Sequence, residues 1–334
     1  MFALDLVSWY QHHLRHLPWR QTNDPYLIWI SEIMLQQTQV DTVIPYYLKF
    51  IERFNNVEAL ATANIEEVYK YWEGLGYYSR ARNLQYAAKQ IVNDYHGKFP
   101  TNAKELINLK GIGPYTSCAI SSIAFLEPVS AIDGNALRII SRTHLLHDNI
   151  ALNTTFKKIK NIGDSLIQEV NPSDFNQAMM DLGATICKPK KPQCEICPIQ
   201  KHCLAYQNQQ QDILPINIKK RYNKDIHYIT GIITYQDQIM LIKNEKGLLS
   251  NLYSCIQYEV NDPYEFIEQF KKQFNQQLTL ISKVKDIKHI FTHRTWYMHV
   301  YHFELKTKNP HLYTKKKIDE LPISTAHLKV LKTI

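Results

Sequence analysis

Apolar residues recur at helical spacing through the first two thirds of the chain. Trp29, Ile33, Val40 and Ile44 fall on one face of a helix that this spacing carries to about Pro45. The same reading predicts helices at about 57–72, 79–94, 103–109, 115–126, 134–146, 155–169 and 173–186. Short connections between them suit an all-α domain. The texture changes after Cys203. A Gln/Asn run from Gln207 to Gln211, then Pro215 and the basic stretch Lys219-Lys220-Arg221, reads as an exposed linker over 206–226. Beyond it the pattern becomes strand-like: Tyr228 to Tyr235, a turn at Asp237, then Ile239 to Ile242. A helix near 262–275, strands near 278–291 and 296–305, and a helix near 324–332 complete an α+β domain. The expected organisation is therefore multidomain: an all-α domain over 1–205, a linker over 206–226 and an α+β domain over 227–334. No internal repeat of 20–50 residues is visible.

Composition narrows the class. The 334 residues are enough for two domains, and 45% hydrophobic content fits packed cores. No apolar run approaches the ~20 residues of a membrane helix. The start, Met1-Phe2-Ala3-Leu4-Asp5, has no signal-peptide pattern. A cytoplasmic protein with no membrane partner is expected. The net charge of +8 suits a polyanionic partner, although a Lys- and Asn-rich composition produces the same excess without one. Only 10 glycines occur, and eight of them lie between Gly74 and Gly183, which marks that stretch as rich in special turns.

Four of the six cysteines, Cys187, Cys194, Cys197 and Cys203, fall in one short segment spaced x6, x2, x5. In a chain without a secretion signal such a group points to metal rather than disulfides, and zinc is the generic occupant. Zinc modules more often show two separate two-Cys knuckles. The stretch Leu109-Lys110-Gly111-Ile112-Gly113-Pro114-Tyr115-Thr116 sets two glycines before a helix, where backbone N–H groups can face a phosphate or merely cap the helix. Asp133 stands where an N-cap is expected for the next helix. Glu32, Gln36 and Gln39 share the polar side of the first helix; Glu32 is either solvated or, beside Trp29 and Met34, held protonated in a water-poor pocket.

The four-Cys spacing and the glycine hairpin resemble the helix–hairpin–helix, endonuclease III superfamily of DNA glycosylases. Leu17-Pro18-Trp19-Arg20, the run Trp29 to Val40, the run Gly74 to Leu84 and the run Phe175 to Ala184 resemble the adenine DNA glycosylases of the MutY family, so the resemblance covers nearly all of 5–205. It implies a [4Fe–4S] cluster on Cys187, Cys194, Cys197 and Cys203, and DNA-backbone binding at Gly111 and Gly113. It further implies that Glu32 protonates adenine at N7 and that Asp133 stabilises the oxocarbenium-like sugar, with Asn135 and Tyr115 assisting. Arg20 and Gln177 match positions near the flipped adenine. Gln37 and Tyr77 match residues that enter the base stack around the opposing lesion; ordinary packing is the alternative for both. Bifunctional relatives carry lysine at position 115. Tyr115 implies a monofunctional enzyme that leaves the strand intact.

Residues 227–334 resemble, more loosely, the family's Nudix-like lesion-reading domain. Phe291, Thr292 and His293 match its 8-oxoguanine loop; a packed or capping role is the alternative for His293. Glu265 and Glu268 lack the acidic pattern of a Nudix metal helix, so lesion binding without hydrolysis is expected. Leu137 and the run Leu252-Tyr253-Ser254-Cys255 depart from the family's usual residues. The function implied is excision of adenine opposite 8-oxoguanine or guanine in double-stranded DNA by a monomeric, bacterial, nucleoid-associated protein. The alternatives are an endonuclease III-like glycosylase/lyase for oxidised pyrimidines, and a non-catalytic metal-bearing DNA-binding protein.

Overall fold

Helix starts are set by short polar side chains. Asp24, Asn56, Asn64, Asn102, Asp133 and Asn171 each stand just before a helix and accept one of its free backbone N–H groups. Pro25, Pro114 and Pro172 occupy first helical positions, where the missing N–H costs nothing. The computed structural model describes residues 1–218, 224–291 and 294–334. Its helices up to residue 207 are α1 (Phe2–His13), α2 (Pro25–Leu35), α3 (Val40–Arg53), α4 (Val57–Thr62), α5 (Ile65–Trp72), α6 (Ser79–Tyr95), α7 (Ala103–Leu106), α8 (Pro114–Phe125), α9 (Gly134–Thr143), α10 (Asn153–Leu166), α11 (Pro172–Thr185) and α12 (Leu204–Gln207). No described helix is long and apolar enough to cross a membrane.

Two predicted helices are divided. The segment at 57–72 breaks where Asn64 caps α5. The helix predicted from Trp29 to Pro45 stops at Leu35, and α3 continues past Pro45 to Arg53. The cause of this second break lies far away in sequence. Arg80 Nη1 donates to the carbonyls of Ile33 (2.8 Å), Met34 (3.1 Å) and Gln36 (2.6 Å), which the end of α2 leaves free. Gln37 then takes a left-handed conformation, with φ of 60°, and the chain turns.

The chain packs as two compact units. The first holds Met1–Ala63 and the stretch from Ser79 through α12; the second holds Asn64–Tyr78 and the C-terminal part to Ile334. Within the first, Leu6 of α1, Ile139 and Ile140 of α9, Ile159 of α10 and Phe175, Ala178 and Leu182 of α11 share one core with Ile199 of the cysteine loop. Part of the stretch predicted as an exposed linker is pinned to this unit. Leu214 is buried, its carbonyl accepts from Arg142, and Ile150 N–H donates to Ile216.

The second unit is built on a mixed sheet. Its strands are β1 (Lys224–Tyr235), β2 (Gln238–Met240), β3 (Ile242–Lys243), β4 (Tyr253–Ser254), β5 (Ile256–Tyr258), β6 (Leu278–Ile290), β7 (Arg294–Leu305) and β8 (Leu312–Thr314). The six-stranded order is β6-β7-β1-β2-β8, with β5 also paired to β1; β3 and β4 form a separate pair. The predicted strand Ile239 to Ile242 is therefore divided between two sheets. The strands β1 and β7 run parallel from Lys224 opposite Arg294 to Thr234 opposite Glu304. Three further helices follow: α13 (Pro263–Phe274), α14 (Lys315–Ile318) and α15 (Thr325–Leu331). One core packs Phe266 and Phe270 of α13 on Ile229, Ile233 and Phe303. The other packs Ala326 and Val330 of α15 with Trp296, Met298 and Val300. Sheet alternation thus buries apolar residues on both faces. The whole is a helical domain and a Nudix-like α+β domain.

Candidate active site

A cavity of about 730 Å³ opens in the first unit. Its lining includes Arg20, Glu32, Gln37, Gly111, Gly113, Tyr115, Asp133, Asn135 and Gln177. Nine candidate residues, drawn from five separate stretches of sequence, thus reach one space. Glu32 projects from α2 and is 5% exposed. Its Oε2 accepts a hydrogen bond of 2.8 Å from the Tyr115 hydroxyl, carried on the first turn of α8. Burial pushes the Glu32 carboxyl up to about 7. The Tyr115 hydrogen bond and the Arg20 cation pull against that, and the Asp133 charge adds to it. Burial also pushes the Tyr115 hydroxyl well above its ordinary value, so it stays a donor. The environment is not the one anticipated: Trp29 and Met34 are fully buried but do not line this cavity, whereas Ile28, Leu35 and Met180 do.

Asp133 is the N-cap of α9. Its Oδ1 accepts the Ala136 N–H at 2.7 Å and its Oδ2 accepts from Asn135 Nδ2 at 2.8 Å. Burial raises its pKa, and these hydrogen bonds oppose the rise. The capping role and a place in the cavity are therefore compatible. Gly183 is required beside it: a Cβ there would stand 2.4 Å from the Asn135 Cβ. In the hairpin Gly111 has φ of 82°, a conformation that side chains resist. Gly113 caps α8 with no side-chain hydrogen bond, and it lines the cavity together with Pro114, Tyr115 and Thr116.

Sequence reasoning missed three side chains that hold this site together. Arg80 ends α2 as described. Arg138 Nη2 donates to Asn135 Oδ1 (2.8 Å) and to the Gly183 carbonyl (2.9 Å), while its Nε donates to the Cys187 carbonyl (2.7 Å). Asp181 Oδ1 accepts from Arg20 Nη2 at 2.8 Å and from Arg15 Nε at 2.6 Å, and Arg20 Nη1 meets its Oδ2. Only Arg138 carried a local signal, standing three residues after Asn135 on the same helix face.

Cys187, Cys194, Cys197 and Cys203 surround a second, smaller cavity floored by Ile139, Ile186 and Ile199. None is in a disulfide. The four cysteines share the lining of this one space, and four thiols are the donor set of an iron–sulfur cluster or of zinc. Arg142, 1% exposed, donates to the Cys187 sulfur at 3.3 Å and to the Lys188 carbonyl at 2.8 Å, placing a buried cation beside the cysteine group.

The remaining candidates lie in the second unit. Tyr77 and Phe291 line a third cavity with Leu248, Leu249, His289 and Arg294. Thr292 and His293 lie outside the described residues. Glu265, at the start of α13, accepts the Asn261 N–H at 2.9 Å.

Three family models match the chain. Residues 30–165 match the HhH-GPD superfamily base excision DNA repair proteins, 187–203 the iron–sulfur binding domain of endonuclease III, and 229–333 the NUDIX domain. An adenine DNA glycosylase of Buchnera aphidicola subsp. Baizongia pistaciae is 36% identical over 308 residues, covering 89% of this chain and 84% of that protein. The mouse adenine DNA glycosylase is 42% identical over 219 residues; the alignment covers 63% of this chain and spans only 42% of the mouse protein's length. Among solved structures, a thermostable thymine-DNA glycosylase superposes with a TM-score of 0.56 at 32% identity, covering 62% of this chain and 95% of the other. A trapped endonuclease III–DNA covalent intermediate superposes with a TM-score of 0.52 at 20% identity, over 62% of this chain and 95% of the other, a likeness of fold. With the Buchnera alignment spanning both domains, the chain belongs to the adenine DNA glycosylase family of enzymes.

Proposed function

We propose that the enzyme removes adenine opposite 8-oxoguanine, or opposite guanine, from double-stranded DNA, and does so without cutting the strand. The observation that carries this reading is Glu32: a buried carboxyl, held near neutrality, bonded to Tyr115 and facing the same cavity as Asp133. Adenine leaves poorly as an anion. A proton moving from Glu32 to ring nitrogen N7 lets the C1′–N9 bond break with its electron pair on the base. The sugar is left as an oxocarbenium-like cation, which the Asp133 carboxylate stabilises. Water then adds at C1′, and its proton returns to the carboxylates, closing the balance. Arg20 and Gln177 are suited to hold the flipped base, and the hairpin N–H groups around Gly111 and Gly113 to hold a phosphate. By resemblance, Gln37, Tyr77, Phe291, Thr292 and His293 are each assigned to reading the opposing lesion.

Tyr115 in place of a lysine supports base removal alone, because a phenol forms no Schiff base. Cys187, Cys194, Cys197 and Cys203 are assigned to a [4Fe–4S] cluster. Bound there, the cluster would tie the loop over 187–203 together and supply no step of the reaction. The test is an excision assay on duplexes carrying adenine opposite 8-oxoguanine, guanine or cytosine, with and without alkali. Strand breaks that require alkali, greatest opposite 8-oxoguanine, are expected. Failure to release adenine from any duplex would sink the reading, and a borohydride-trapped adduct in high yield would sink the monofunctional part. Glu32→Gln should lose excision by about a hundredfold or more while still retarding DNA in a gel.

A further inference from the structure

Behind the catalytic pocket lies a charge cluster whose cost needs an explanation. Asp181, on α11, is nine-tenths buried or more, with a side chain 2% exposed. It accepts both arms of the Arg20 guanidinium, itself 7% exposed, and on the other side the Nε and Nη2 of Arg15. The Tyr10 ring lies 5.6 Å from the Arg20 guanidinium. Taking Asp181 and Arg20 out of water is expensive, with Arg15 31% exposed beside them, and such a cluster is poorly justified as a source of stability alone. Its position gives it work to do. Arg20 faces the cavity that Glu32 faces, and a free guanidinium there favours the ionised carboxylate.

We propose that Asp181 is a positioning residue for the catalytic acid: its buried carboxylate fixes and neutralises Arg20, so that this cation orients the base without stripping the proton from Glu32. The inference rests on the reading of Glu32 as general acid. The charged and titratable groups around Glu32 are Tyr115 from α8, Asp133 before α9 and Arg20 from the 18–20 turn, with Arg15 and Asp181 behind Arg20. Tyr115 and Asp133 are untouched by changes at 181. Loss of the Asp181 charge acts on Glu32 through Arg20.

The experiment is single-turnover excision of adenine opposite 8-oxoguanine from about pH 5 to about pH 9. Excision needs protonated Glu32, so the rate falls as pH rises through the Glu32 pKa. In Asp181→Asn that basic limb should move down by about one pH unit, a loss of about tenfold on the alkaline side with little change on the acid side. Asp181→Glu, which keeps the charge, should restore most of it. In an Arg20→Met background the Asp181→Asn change should leave the limb where it is, because the cation it guards has gone. This pair also serves if Asp181→Asn alone does not fold. An unmoved limb in folded Asp181→Asn, or an equal downward shift in the Arg20→Met background, overturns the proposal. Glu32→Gln is run alongside. If it retains excision, the acid assignment itself fails; if it loses excision while Asp181→Asn behaves as wild type, only the role of Asp181 fails.

Discussion

Burying a carboxyl group carries a cost that falls on the fold as well as a benefit that falls on the reaction. Glu32 has its pKa pushed from 4.5 to about 7 by burial, so the folded state binds its proton more tightly than the unfolded chain does. Stability from this group is therefore complete below about pH 4.5 and is lost as pH rises through about 7. At about pH 8 the loss amounts to roughly 3 kcal/mol, because each tenfold difference in proton affinity is worth about 1.4 kcal/mol. Glu32→Gln keeps an acceptor for Tyr115 and has no charge to bury. In urea titrations it should be more stable than the wild type by about that amount at about pH 8 and equal to it near pH 4.5. Equal stability at both values would show that Glu32 is not held protonated by the fold. The same residue thus links two curves: stability falls from about pH 4.5 and levels off near pH 7, where excision begins to decline.

At the level of elements, the end of α2 depends on a partner from α6. Arg80→Ala removes three hydrogen bonds to carbonyls at 33, 34 and 36, and should cost about 1–3 kcal/mol while loosening the turn that carries Gln37. Faster amide exchange confined to residues 33–39 is the readout; an unchanged pattern there would remove Arg80 from this role. That contact explains why the helix break was invisible in the sequence. The apolar spacing from Trp29 to Ile44 continues through 36–39, and nothing local says that an arginine 44 residues away will take the carbonyls. Where the deciding interactions are local, sequence was sufficient: α6 and α9 show apolar spacing along one face, and Asp133 was readable as a cap because its partner is three residues on. The cysteine group and the glycine hairpin were legible for the same reason. The Arg15–Asp181–Arg20 cluster was not, since its members are separated by about 160 positions. In the second unit, α15 carries a further sensitivity. His327 is 0% exposed with neither ring nitrogen paired, and burial depresses it to about 3; nearby His289 is depressed to about 4. These bases favour the fold above their ordinary value of 6.5, and that stability is lost as pH falls toward 4 and then 3. The fluorescence of Trp296, packed against His327, should report acid unfolding of this unit, and His327→Leu should shift the transition to lower pH. No shift would show that His327 is not the group being protonated.

Taken as a whole, the molecule divides within the 206–226 stretch where its sequence changes texture, and around one internal segment besides. The segment Asn64–Tyr78 belongs by packing to the C-terminal unit. Its Tyr78 hydroxyl donates to the Ile323 carbonyl, Glu73 accepts the Ile323 N–H, and Glu66 pairs with Lys243. A protein truncated after residue 218 would keep this segment and lose those partners. Proteolysis of the truncated protein should begin within 64–78, whereas the full chain should be protected there; equal protection would show that the segment is supported without the C-terminal sheet. Tyr77, with φ of 47°, stands one residue before the end of that segment and lines the same cavity as Phe291. This interleaving restricts how such a protein can be recombined. A hybrid joined in the 206–226 stretch, with the helical part of one relative and the sheet of another, would match the chain ends and mismatch an internal patch. Exchanging residues 64–78 together with the C-terminal unit should restore solubility and lesion preference to such hybrids. The unit of inheritance here is two stretches of chain rather than one.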